Sequence, residues 1–136
     1  MDVAERLAQL ALFADLSPMQ VEAIAHSFEE NVFQEDERVL RRGLSGGNFY
    51  VILEGEARVV AGDQVLRTLG RGDFFGEIGA LTGETPSADV VAESLLRCLV
   101  IPPQELERLL LERPQMMLRL LRMEARRLQT AGEWQT

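Results

Sequence analysis

Phe74-Phe75-Gly76-Glu77-Ile78-Gly79-Ala80-Leu81-Thr82-Gly83-Glu84-Thr85-Pro86-Ser87-Ala88-Asp89-Val90 is the most informative stretch of the chain. Its pattern predicts the end of a strand, a glycine turn, a very short helix, a polar loop and a new strand. Glu77 falls just inside the short helix. Backbone N–H groups at a helix start can hold a phosphate, and a carboxylate can accept a hydrogen bond from a sugar hydroxyl. The stretch therefore predicts a site for a polyol phosphate.

Short apolar segments separated by glycine turns surround this stretch. We expect strands over residues 32–33, 39–40, 49–53, 57–61, 65–69, 89–92 and 96–101. Strands of this length and spacing are typical of an antiparallel barrel or jelly roll. The glycines Gly43, Gly46 and Gly47 are interpreted as turn residues, because no lysine and helix follow them as in a phosphate-binding P-loop.

Helical patterns lie on both sides of the predicted barrel. We expect one helix over residues 4–13 and a second with Ser17 as N-cap and Pro18 at its first position. After Pro102-Pro103, one helix is predicted over residues 104–112 and a longer one from Pro114 to about residue 133. The predicted fold is mainly β with flanking helices, as a single domain over residues 1–136.

Composition excludes several classes of protein. The chain has 136 residues and a formal net charge of −8, whereas a nucleic-acid-binding domain usually has a basic face. The single cysteine, Cys98, excludes an intrachain disulfide or a cysteine-rich metal site. We see no secretory leader and no apolar run long enough for a membrane span, so a cytoplasmic location is expected. His26 is expected at the surface or in helix packing, and Cys98 in the core.

Four segments together resemble the cyclic-nucleotide-binding domain family. They are Leu12-Phe13-Ala14-Asp15-Leu16-Ser17, Asn48-Phe49-Tyr50-Val51-Ile52-Leu53-Glu54-Gly55-Glu56-Ala57, Leu69-Gly70-Arg71-Gly72-Asp73-Phe74-Phe75-Gly76-Glu77-Ile78 and Ala125-Arg126-Arg127-Leu128-Gln129. The last segment is similar to the final helix of the bacterial cyclic-AMP receptor protein group. The resemblance implies a jelly-roll sensor for a cyclic purine nucleotide, cyclic AMP or cyclic GMP, with a short cassette helix.

The same resemblance implies a set of binding residues in the cassette. The carboxylate of Glu77 would hold the ribose 2′-hydroxyl, and the neighbouring positions would face the sugar and the phosphate: Gly76, Ile78, Gly79, Pro86, Ser87 and Ala88. The alternative for Glu77 is an acidic residue that stabilises the start of a short helix.

Pro86 occupies the position at which the family has its phosphate-binding arginine. No other basic residue lies between Asp73 and Leu96. Loss of a charge-assisted contact of about 1.5–3 kcal/mol weakens binding roughly 10- to 150-fold. Arg67 and Arg71, outside the cassette, are alternative sources of positive charge.

The base-binding side also departs from the receptor group. Ala131 and Gly132 replace two hydroxyl residues of the long helix, so neither can bind a purine through its side chain. Trp134 is a candidate lid that stacks on the base, with a frayed aromatic residue near the chain end as its alternative.

The long C-terminal helix carries two apolar rows and a basic row. Leu118, Leu121, Ala125 and Leu128 are spaced as in a heptad seam, which predicts a homodimer through this helix. Met116, Leu120 and Met123 form a second row, so that a single broad face buried on its own domain is the alternative. The basic row is interpreted as a solvated face paired with Glu124: Arg119, Arg122, Arg126 and Arg127.

Three functions remain open from the sequence. The first is a regulatory domain that senses a nucleotide or another small anion and signals through the long helix. The second is a degenerate domain without ligand, which serves dimerisation or protein docking. The third is the sensor part of a transcription regulator, whose DNA-binding segment residues 1–136 do not contain. We expect no enzyme, because no nucleophile–base pair and no metal-ligand cluster is apparent.

Overall fold

The fold is a β jelly roll flanked by helices, seen in a computed structural model that describes residues 2–44 and 47–132. Two antiparallel four-stranded sheets face each other, with strand orders β1-β8-β3-β6 and β2-β7-β4-β5. The strands are β1 (Glu29–Phe33), β2 (Arg38–Leu40), β3 (Phe49–Glu54), β4 (Ala57–Ala61), β5 (Gln64–Leu69), β6 (Phe74–Phe75), β7 (Asp89–Ala92) and β8 (Leu96–Ile101). This architecture confirms the predicted fold class.

Helices cover one face of the first sheet. They are α1 (Val3–Ala8), a 3₁₀ turn (Ala11–Phe13), α2 (Pro18–Ser27), the short α3 (Glu77–Thr82), α4 (Pro103–Glu112) and α5 (Pro114–Gly132). The Ser17 hydroxyl accepts from the Gln20 N–H, and the Gln20 side chain accepts from the Ser17 N–H. This reciprocal cap confirms the predicted start of α2.

The single helix predicted over residues 4–13 is wrong. Helix α1 ends at Ala8, and Leu10 is extended before the 3₁₀ turn begins. In a continuous helix Leu10 and Leu12 would point to nearly opposite sides, at about 100° per residue. The break allows Leu10, Leu12 and Phe13 all to be buried in one core.

The apolar core has two parts, which β3 separates. Val51 and Leu53 face the helices, where they pack with residues of α1, α2, α4 and α5. Ile52 faces the barrel interior together with residues of the second sheet and with Cys98. Because β3 is buried on both faces, it is an unbroken apolar run rather than an alternating one.

The lone histidine and cysteine lie where the sequence predicted them. His26 is at the surface and pairs with Glu22 at 2.7 Å. Cys98 is fully buried, and burial raises the pKa of its thiol to about 12. In the part of the chain that the structure describes, no helix is both long and apolar enough to cross a bilayer. In the same part no group of histidine, cysteine and carboxylate side chains could hold a metal ion.

Candidate functional site

The site begins at a sharp turn between β6 and α3. Gly76 has a φ of 82° and lies against the start of β3. An added Cβ would come within 2.4 Å of the carbonyl oxygen of Asn48, the residue directly before that strand. A positive φ and this close approach both require glycine. The Gly76 carbonyl accepts from the Ala80 N–H, so α3 starts at Glu77 with its first N–H groups outside the helical hydrogen-bond ladder.

This turn places the Glu77 carboxylate in a buried position. Glu77 is 6 % exposed and is the one charged residue among those described that is buried. Its Oε1 lies 3.3 Å from Nη1 of Arg127, while its Oε2 is buried with no hydrogen-bond partner. A buried acceptor without a donor is costly, so Glu77 is poised to accept a hydrogen bond from a ligand hydroxyl.

Arg127 is the candidate site residue that the sequence reasoning missed. Its Nη2 donates to the Phe74 carbonyl at 2.6 Å, and its guanidinium lies 4.0 Å above the Phe74 ring centroid. Its Nη1 also donates to Glu124 at 3.3 Å. The predicted solvated face is therefore wrong for Arg127, which continues the buried row of Met116, Leu120 and Met123 at helical spacing. That spacing is the sequence signal that identifies it.

The site concentrates charge in a partly buried space. Burial raises the pKa of Glu124, and the negative charge of Glu77 raises it further. Burial lowers the pKa of Arg67 on β5, and the positive charge of Arg127 lowers it further, although the Arg67 side chain keeps substantial contact with solvent. Glu77 and Arg127 both influence the pKa of Glu124 and that of Arg67, which places all four groups within electrostatic reach.

The loop after α3 is held without a cation of its own. The half-buried Pro86 accepts through its carbonyl from the Gly43 N–H at 3.0 Å. Ser87 is exposed and Ala88 packs against the barrel core. Asp89, which follows, accepts from the Arg42 N–H at 2.7 Å and pairs with Arg38 at 3.4 Å.

Four further residues are candidates for the site from the sequence: Arg71, Trp134, Ile78 and Gly79. Arg71 donates to Gln9 of the N-terminal segment and lines a surface cleft with Leu10 and Met123. Trp134, the predicted lid, lies outside the described residues. The exposed Ile78 and half-buried Gly79 follow Glu77 in the first turn of α3.

The comparison with protein families agrees with this geometry. The model of the cyclic nucleotide-binding domain matches residues 30–113, more than half of the chain. The chain therefore belongs to the cyclic nucleotide-binding domain family, which confirms the family that the four sequence segments indicated.

Individual relatives match from about two thirds to nine tenths of this chain. A cGMP-dependent protein kinase of Eimeria tenella is 35% identical over 86 residues, which are 63% of this chain and 9% of the kinase. The Catabolite Activator Protein of Thermus thermophilus is 27% identical with a TM-score of 0.80, over 90% of this chain and 60% of that one. The regulatory subunit of a cAMP-independent protein kinase A from Trypanosoma brucei shares the fold at 23% identity, with a TM-score of 0.77 over 90% of this chain and 45% of that one. The chain thus spans less than a tenth of the curated kinase.

Proposed function

We propose that this regulatory domain binds cyclic AMP or cyclic GMP at the α3 cassette and signals through α5. The observation that carries the proposal is the buried Glu77 carboxylate with its unpartnered Oε2. A ribose hydroxyl would satisfy that oxygen. Gly76, Ile78, Gly79, Pro86, Ser87 and Ala88 are the other proposed binding positions.

Binding is expected to be weaker than in a domain that keeps the cassette arginine. Pro86 has no N–H and no charge. Arg38, the cation next to the loop, is already paired with Asp89. The phosphate of the ligand therefore gains no charge-assisted contact from the α3–β7 loop.

The output follows from the contacts of Arg127. This residue ties α5 to the barrel through Glu77 and through the Phe74 carbonyl. A ligand that binds Glu77 changes the environment of the same guanidinium, so its affinity differs between a docked and an undocked α5. That difference in affinity is what a switch requires.

The test is isothermal titration of the purified chain with cyclic AMP and cyclic GMP, after removal of any ligand that copurifies. We expect saturable binding by the parent protein and a loss of about 10- to 150-fold in Glu77→Ala, because a hydrogen bond to a charged group is lost. Glu84→Ala is the matched control, since Glu84 is an exposed carboxylate in the same cassette. Equal affinity of Glu77→Ala and parent for the nucleotide would show that the site is wrong.

A homodimer through α5 is part of the proposal. The buried row of α5 packs on the domain, with Met116 1 % and Leu120 4 % exposed, whereas the seam remains outside, with Leu118 45 %, Leu121 63 % and Leu128 75 % exposed. Ala125 is exposed on the same seam. A second copy of the chain would cover these side chains.

The alternative is a degenerate, ligand-free module for dimerisation or protein docking. Arg127 contacts one oxygen of Glu77 directly, and the Trypanosoma brucei relative of this fold is named cAMP-independent. Absence of heat with either nucleotide up to millimolar concentration would favour this alternative. For both functions we propose that the domain is non-catalytic and cytoplasmic and that it binds neither nucleic acid nor a membrane directly. A further alternative is that it forms the sensor portion of a longer transcription regulator.

A further inference from the structure

Arg67 lies on the inner face of the second sheet. Register places it directly opposite Val59 on β4, which in turn pairs with Val90 on β7, and Val90 pairs with Leu40 on β2. Residues paired across antiparallel strands share one face. Leu40, Val90 and Val59 are buried in the barrel core. Arg67 continues this inward-facing row on the edge strand β5, where it is exposed.

The same core connects Arg67 to the cassette. Val59 and Leu69 belong to one buried cluster with Phe75, the residue directly before Gly76 and Glu77. Arg67 and Glu77 are therefore both neighbours of this buried apolar cluster, Arg67 through β5 and Glu77 through the turn after Phe75. The influence of Glu77 and Arg127 on the pKa of Arg67 agrees with this placement.

Three other arginines near the site already have side-chain partners. Arg38 is paired with Asp89, and Arg127 with Glu77 and Glu124. Arg71 is bound to Gln9. Among the residues that the structure describes, no carboxylate forms a salt bridge with Arg67, so its charge is available to an anion that enters the barrel.

We propose that Arg67 takes over the role of the missing cassette arginine and binds the negatively charged group of the ligand from the β5 side. The ligand class is a ribose monoanion, of which a cyclic ribose phosphate is one example, with its hydroxyl on Glu77. This inference rests on the proposed function, because it concerns the same ligand site.

The experiment compares Arg67→Gln with the parent protein, using cyclic AMP and the uncharged nucleoside adenosine as probes. We expect Arg67→Gln to lose about 10- to 150-fold in affinity for cyclic AMP and to bind adenosine as the parent does. Arg71→Gln and Arg42→Gln are the matched controls, since each removes a nearby exposed arginine. Equal losses for cyclic AMP and adenosine, or a loss confined to a control variant, would overturn the inference.

A second measurement does not depend on adenosine. Pro86→Arg places a cation in the cassette and leaves the backbone carbonyl that binds Gly43. In this background we expect Arg67→Gln to cost little affinity for cyclic AMP, since the anion has a second partner. An unchanged cost would show that Arg67 acts elsewhere. If the parent binds and Arg67→Gln binds equally, only this inference fails; if the parent binds no cyclic nucleotide, the proposed function fails with it.

Discussion

Two carboxylates share one partly buried space beside the barrel, with one guanidinium between them. Arg127 Nη1 lies 3.3 Å from an oxygen of Glu77 and 3.3 Å from an oxygen of Glu124. Removing Arg127 would leave two carboxylates in this space without a counter-charge, whereas removing one carboxylate leaves a balanced pair. The residue to vary first is therefore Glu124, because burial and the charge of Glu77 both disfavour its ionised form.

Glu124→Gln is expected to raise stability at pH 7. Burial and the charge of Glu77 raise the pKa of Glu124 above its ordinary value of 4.5, so the folded state shifts the equilibrium towards the protonated form. The cost of ionisation is fully present above the folded pKa and disappears as pH falls towards the unfolded value. The Tm advantage of the variant should thus shrink as pH falls from 7 towards 4.5. Glu107→Gln, exposed on α4, is the control, and a lower Tm for Glu124→Gln at pH 7 would contradict the argument.

The placement of Glu77 at the start of α3 was predicted from the sequence, but the inward position of Arg127 was not. Glu77 follows the glycine turn and stands inside a recognisable cassette. Arg127 has three arginines near it on the same helix, and composition alone does not say which one turns inward. Only Arg127 continues the row of Met116, Leu120 and Met123, and the packing of that row on the barrel decides its position.

At the scale of elements, the start of α3 depends on backbone geometry more than on side chains. Gly76 and Gly83, at the two ends of α3, both have positive φ values, 82° and 77°. An added Cβ at Gly76 would meet the Asn48 carbonyl at 2.4 Å, whereas nothing lies within 4 Å at Gly83. An alanine at Gly83 would therefore suffer only the strain of a positive φ. An alanine at Gly76 would suffer the same strain and a steric clash as well.

We predict that Gly83→Ala costs about 1–2 kcal/mol, the usual penalty for alanine in the left-handed region. Gly76→Ala should cost clearly more, because β3 must also move away from the turn. Denaturant unfolding of both variants gives the two free energies. A similar loss of unfolding free energy in the two variants would mean that the close approach to Asn48 adds no cost.

Element boundaries were predictable where local chemistry sets them. Ser17 and Pro18 define the start of α2 by capping. The end of α1 at Ala8 was not predictable, because it depends on the burial of Leu12 against elements far along the chain. A local apolar pattern does not contain that information.

At the scale of the whole molecule, α5 has two apolar faces and the domain covers one of them. The covered face holds the helix against the barrel, while Leu118, Leu121 and Leu128 remain exposed. The alternation of strands and turns was enough to predict the jelly roll, because every strand must bury one face in a shared core. The occupant of the exposed seam is a matter of assembly, and its prediction remains a proposal.

Leu121→Glu is expected to convert a dimer into a monomer. A charge at the centre of the seam would be buried without a partner in a dimer. Light scattering at tens of micromolar should show a dimer for the parent and for Met19→Glu, a change of the same kind at an exposed methionine of α2. A monomeric parent protein would rule out the dimer.

The burial of Cys98 has a practical consequence for measuring how often the barrel opens. With 0 % exposure and a pKa of about 12, the thiol is closed to alkylating reagents and almost wholly protonated at neutral pH. Since it is the only cysteine in the sequence, each alkylation adds one mass increment and records one opening event. The labelling rate in native buffer therefore reports the free energy of opening, and a ligand that binds the closed barrel slows labelling in proportion to its occupancy and affinity.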